Sequence, residues 1–241
     1  MKHIMRPIAI LLFLMIGSNV QAGLMGPDPY SSFNNSPFFS TDFSSGYWHL
    51  EDFEDGLFNV PGVTATGSGL CITGSECFTA PGDTIRDSVD GVATNSHFAN
   101  PGSTGITYTF DAVALGALPT HVGIVWTDGA GSITFEAFDN LNNSLGTIVG
   151  THADTSVNGT TGEDRFYGAD LSGLIGVTGF SSISISNASG GIEVDHLQFG
   201  CNLVACGSGP GPIKPVPEPS IIALFAAGLF GLGLARRKKR S

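Results

Sequence analysis

Apolar side chains in this chain recur at every second position, and nowhere between residues 47 and 200 at the spacing of a helix. Ile106, Tyr108 and Phe110 alternate with Thr107 and Thr109. Ile133, Phe135 and Ala137 alternate with Thr134 and Glu136, and Ile183 and Ile185 with Ser182, Ser184 and Ser186. A period of two belongs to a strand with one face buried. Turn-forming residues punctuate the pattern at Asp128-Gly129, Asn140 to Asn143, Asn158-Gly159 and Ser189-Gly190-Gly191. The expected strands are Trp48–Phe53, Phe58–Ala65, Ile106–Val113, Val122–Thr127, Ser132–Asp139, Leu145–Gly150, Asp164–Ala169, Phe180–Ser186 and Ile192–Phe199. Strands without intervening helices predict an all-β domain, a two-sheet antiparallel sandwich of jelly-roll or lectin-like kind, over residues 47–206. Residues 23–46, rich in Ser, Asn, Pro and Phe with no clean period, read as a loose lead-in.

Hydrophobicity of a different kind sits at the two ends. Lys2 and Arg6 precede the unbroken apolar run Ile8 to Ile16, and Val20-Gln21-Ala22 places small residues before a cut ahead of Gly23. Charge, short apolar run and small-residue site in that order make residues 1–22 a secretory signal peptide. At the other end, residues 207–219 form a Pro/Gly linker, made stiff because each proline fixes its own φ and restrains the residue before it. Ile221 to Ala235 then has no charged or polar side chain, and Arg236 to Arg240 is all basic. As a helix this run spans about 22 Å, short of a hydrocarbon core of about 30 Å by an amount that flanking residues and local thinning absorb. Residues 220–241 are therefore expected as one transmembrane helix with a basic tail. The basic cluster stays on the cytoplasmic side, which puts residues 23–219 outside.

Val216-Pro217-Glu218-Pro219-Ser220, the short apolar helix and the terminal basic cluster together resemble the PEP-CTERM sorting signal of Gram-negative bacteria. That resemblance implies that Pro217, Glu218 and Pro219 mark the tail for an exosortase-type membrane protease. It further implies that the mature protein passes from a cytoplasmic-membrane intermediate to the cell surface or extracellular matrix. Glu51 to Gly56, Gly123 to Gly129 and Ile192 to Leu197 also resemble segments of the sandwich ectodomains found among PEP-CTERM proteins, and more loosely carbohydrate-binding and laminin-G-like sandwiches.

Charge and cysteines narrow the partners. Of the 21 acids only Glu218 lies in the tail, whereas Arg86 and Arg165 are the only Lys or Arg between Gly23 and Ile213. Such a surface repels nucleic acid and anionic lipid and attracts divalent cations, although acidity also serves simply to keep an exported protein soluble. The four cysteines, Cys71, Cys77, Cys201 and Cys206, form an even set in an exported chain, which favours disulfides. Three pairings exist, the two local loops Cys71–Cys77 and Cys201–Cys206 being the simplest. Neither spacing is that of a zinc knuckle.

The candidate metal ligands are acidic. Glu51, Asp52, Glu54 and Asp55 lie in the first strand and its turn, and Glu193 and Asp195 in the last. If those strands lie side by side, Glu54, Asp55, Glu193 and Asp195 converge to hold calcium; otherwise they form a solvated acidic turn and an edge strand. A glycosidase needs two carboxyls roughly 5–9 Å apart across a cleft, and no cleft is marked. Trp48, Trp126, Tyr108 and Tyr167 are sugar-stacking candidates or core. Asp87-Ser88-Val89-Asp90-Gly91 lacks the alternating acids and terminal Glu of an EF-hand loop. The expected protein is a non-catalytic cell-surface or exopolysaccharide-matrix component; the alternatives are a carbohydrate-binding module and, behind it, a secreted polysaccharide hydrolase.

Overall fold

The computed structural model describes residues 23–72, 87–89, 95–154, 162–172, 174–203 and 206. The expected signal peptide, Pro/Gly linker and tail helix, the Pro217-Glu218-Pro219 motif, and Cys77 lie outside the described residues. Among the described residues no helix is long and apolar enough to cross a membrane.

The strands are β1 (Gly23–Pro29), β2 (Tyr47–Glu51), β3 (Val63–Thr66), β4 (Gly69–Cys71), β5 (Ser96–Ala99), β6 (Ile106–Phe110), β7 (His121–Asp139), β8 (Ser144–Gly150), β9 (Arg165–Asp170) and β10 (Phe180–Cys201). The sandwich is antiparallel as expected, but among the described residues its ladders join into one ten-stranded hydrogen-bonded sheet and not two. Two long strands cause this. β7 and β10 pair from His121↔Gly200 to Phe180↔Asp139, each running through a position expected to divide two strands.

At that midpoint the pair bends without losing its ladder. Register shifts fall between Asn187 and Ser189 and between Ser189 and Ile192. Gly129 has φ +141°, and a Cβ there would stand 2.8 Å from the Gly191 carbonyl oxygen, so only glycine fits the turn. The Asn187 side-chain amide donates to the carbonyls of Ala130, Ser189 and Gly191, satisfying the backbone that the bend frees.

The bend folds the sheet over its own core. Phe135 stacks on Tyr167 with ring centroids 6.1 Å apart. Tyr167 pairs with Ile124, eleven residues earlier on β7, about 35 Å away in an extended chain. Phe110 likewise meets Phe199 at 5.2 Å across the layers. Between them lie Ile106, Tyr108, Val122, Trp126, Ile133, Ile183, Ile185, Val194 and Leu197, all buried. Trp48, Trp126, Tyr108 and Tyr167 are at most 5 % exposed, so these aromatics serve packing and present no sugar-stacking face.

Residues 23–46 correct the expectation of a loose lead-in. β1 pairs with β9 from Gly23↔Asp170 to Pro29↔Arg165. Tyr30, Phe38 and Phe43 are then buried against Trp48, Val89, Val125 and Phe166, on the sheet face opposite the main core. Phe43 lies 4.6 Å and Phe38 5.8 Å from the Trp48 ring. The segment lacks a period because most of it is neither strand nor helix. Aromatic anchors hold it, and each ring buries enough apolar area to fix an irregular chain.

Candidate functional site

On this second face, where β9, β7 and β10 lie side by side, the structure collects carboxylates. Asp87, Asp164, Glu193 and Asp195 are fully buried, and Asp128 is 4 % exposed. Two irregularities in the ladder place them. Trp126 pairs with Val194 and Asp128 with Glu193, leaving Thr127 as an extra residue on β7. Asp195 pairs with Val125 and Gln198 with Gly123, leaving an extra residue on β10, where His196 takes a φ of +46°. Such bulges re-aim side chains that strict alternation would send to opposite faces. A left-handed non-glycine residue is held against its steric cost by its surroundings. Here the His196 Nδ1 is 2.9 Å from the Tyr30 hydroxyl, which also accepts from the Gln198 amide at 3.0 Å.

The segment 87–89 lies across this face. The Asp87 N–H donates to Glu193 Oε2 at 2.9 Å and the Val89 N–H to Asp195 Oδ2 at 2.9 Å. Thr127 Oγ1 donates to the Asp87 carbonyl at 3.0 Å. Ser96 Oγ donates to Glu193 Oε1 at 3.1 Å, and the His196 N–H to Asp195 Oδ1 at 2.6 Å. Glu193 and Asp195 thus act first as a rack for backbone donors, which offset part of the cost of burying them.

Asp164 is treated differently. It stands one residue before Arg165, whose backbone pairs with Trp126, so its neighbour across the ladder is the bulged Thr127. Both its carboxylate oxygens are buried with no hydrogen-bond partner. Burial first, then the negative charges of Asp87, Asp195 and Glu163, push its carboxyl up to about 9, against the weaker pull of Arg165. The Arg165 guanidinium itself donates to the backbone carbonyls of Asp164 at 2.8 Å and Gly162 at 3.3 Å, not to a carboxylate. Arg86, the other base of this part of the chain, lies outside the described residues.

No three of the four ligands expected from sequence close on one point at ligand distance. β2 does lie beside β10, with Glu51 opposite Leu197. Leu197 belongs to the main core, so Glu51, paired with it, shares that side of the sheet. Glu54 Oε1 accepts from the Asn95 N–H at 2.9 Å. Asp55 is exposed and caps its own turn, accepting from Leu57 N at 2.8 Å and Asn59 Nδ2 at 2.8 Å. Glu193 and Asp195 instead join Asp87 and Asp164, which alternation and spacing did not single out. The available signal was modest: Asp87 opens an Asp-rich pentapeptide, and Asp164 precedes a strand of otherwise uncharged inward positions. Cys201 and Cys206 form a disulfide, and Cys71 is disulfide-bonded.

Comparison with known proteins bears mainly on the tail. No curated protein matches the sequence. Among solved structures, the Clostridium thermocellum N-terminal endo-1,4-beta-D-xylanase 10B, CBM22-1–GH10 modules complexed with xylohexaose, matches with 11 % identity and a TM-score of 0.35. The match covers 64 % of this chain and 28 % of that one, and is too remote to carry a fold or a ligand across. The PEP-CTERM protein-sorting motif, by contrast, matches residues 215–240, the stretch holding Pro217-Glu218-Pro219, the apolar run and the basic cluster. At its carboxyl end, then, this chain carries a PEP-CTERM protein-sorting motif.

Proposed function

We propose that this chain is an exported substrate of an exosortase-type membrane protease, left after processing as a non-catalytic component of the cell surface or extracellular polysaccharide matrix. One observation carries the reading: the sorting motif at residues 215–240. The division of labour follows from physical chemistry. Residues 1–22 thread the chain across the cytoplasmic membrane, residues 220–241 hold it there with the basic cluster inside, and the stiff proline segment presents Pro217-Glu218-Pro219 just outside. The envelope is that of a Gram-negative bacterium in this reading.

The domain supports the non-catalytic role. Of the two carboxylates that a hydrolase would bring to a glycan, Glu54 and Asp195, Asp195 has no exposed surface, and the four candidate stacking aromatics are core. The test is fractionation of the native host carrying chains that lack residues 221–241 or have Pro217-Glu218-Pro219 replaced by Ala-Ala-Ala. Both should stay unprocessed or reach the wrong compartment. Unchanged location and unchanged length of the mature product would overturn the proposal.

A further inference from the structure

We propose that Asp87, Asp164 and Asp195 form a binding site for a divalent cation of oxygen-ligand chemistry, Ca²⁺ being the fit, that clasps β9, β10 and the 87–89 segment together. This set replaces the sequence-derived quartet: it keeps Asp195, demotes Glu193 to a support, and drops Glu54 and Asp55.

The first support is Asp164 itself, a side chain with no exposed surface and two carboxylate oxygens that meet no donor. Burying a carboxyl group with neither a hydrogen bond nor a counter-charge is costly, and most costly when it is ionised. The neighbours do not relieve it. Asp87 and Asp195 add negative charge, and Arg165 gives its donors to backbone carbonyls. The second support is the rack beneath. Asp195 and the 87–89 backbone are fixed to each other through Val89, and Glu193 and Thr127 fix Asp87 from both sides. Potential ligands are thereby pre-positioned by bonds that do not consume the Asp164 oxygens, which is how supporting groups around a metal site work.

The donor chemistry selects the ion. Every candidate donor is a carboxylate, hydroxyl or carbonyl oxygen, and the one nearby imidazole has its Nδ1 engaged with Tyr30. Hard cations with oxygen ligands suit such a set, and Ca²⁺ tolerates the irregular geometry that Mg²⁺ does not. Among the described residues no three Asp, Glu, His or Cys side chains already close on one point at ligand distance. In the proposed site the ion draws these carboxylates in, with carbonyl and water oxygens completing its shell.

The test uses the full chain in detergent, stripped with chelator and dialysed, then titrated with CaCl₂ or MgCl₂ by calorimetry and followed by thermal melting. One calcium should bind per chain, raise the melting temperature, and bind at least tenfold more tightly than magnesium. Asp164→Asn should lose at least tenfold in calcium affinity, yet melt no lower than the wild-type protein in chelator, because it keeps the shape of a side chain whose oxygens meet no donor. Asp55→Asn should bind calcium like the wild type. An absence of calcium heat and of any melting shift in the wild-type chain overturns the proposal whatever the variants do. So does wild-type affinity in Asp164→Asn, or a loss confined to Asp55→Asn, which would return the site to the turn after β2.

Discussion

Acid should destabilise this domain through His97. The ring packs against Phe53 and Phe58, with centroids 5.2 and 5.4 Å away. Its Nδ1 is 2.8 Å from the Tyr108 hydroxyl and its Nε2 3.1 Å from Ser68 Oγ. Burial holds its pKa down to about 4, against 6.5 for the free side chain. The unfolded chain therefore binds a proton across that interval while the folded chain does not, and stability rises with pH. The contribution is fully present above about 6.5 and is lost progressively as pH falls toward 4. Each pKa unit is worth about 1.4 kcal/mol, so moving from pH 7.5 to 4.5 should cost about 2.5 kcal/mol through this one group. The assay is urea denaturation at the two pH values, for the wild type and for His97→Gln, in chelator so that no cation contributes. The variant should begin less stable and lose about 2.5 kcal/mol less on acidification than the wild type. Equal pH dependence in the two proteins, or a His97 resonance titrating near 6.5, would refute the reasoning.

Two further outcomes follow from packing and chain connectivity. Phe199→Ala removes a fully buried ring that meets Phe110 at 5.2 Å and His49 at 5.0 Å, and should cost about 3–5 kcal/mol of unfolding free energy read by denaturant titration. A loss below about 1 kcal/mol would mean the sheet does not close over its core there. Replacing both Cys201 and Cys206 by Ser removes a loop of sequence separation 5 and should lower stability by about 2 kcal/mol without changing the fold, read by melting and circular dichroism. An unchanged melt would assign that crosslink no role in folding stability.

The strands of the main core were readable because their signal is local. At Ile106–Phe110, Ile133–Ala137 and Ile183–Ile185 the alternation in the sequence is the burial pattern of the fold, since one face of each strand meets the same core. The sorting tail was readable for a similar reason: an apolar run, its flanking charges and its prolines act through composition and order alone. Where contact between distant segments decides the outcome, local pattern fails. β7 and β10 were each expected as two strands because glycine marks turns, and only the partner strand, with the Asn187 amide, lets the ladder continue through the bend. Short β4 and β5 have no period to read, being three and four residues long.

The chain alone determined its mostly β character, its acidity and its sorting motif, because these rest on side-chain chemistry and spacing along one segment. Tertiary structure alone decided where the acids go. Two single-residue bulges, at Thr127 and His196, shift the faces of β7 and β10 against each other, and a one-residue shift reverses which way every later side chain points. Asp87 and Asp164, 77 positions apart, are then buried with Asp195 on the face that the lead-in covers. No periodicity in a sequence encodes that meeting, since it depends on which strands become neighbours and on what covers them.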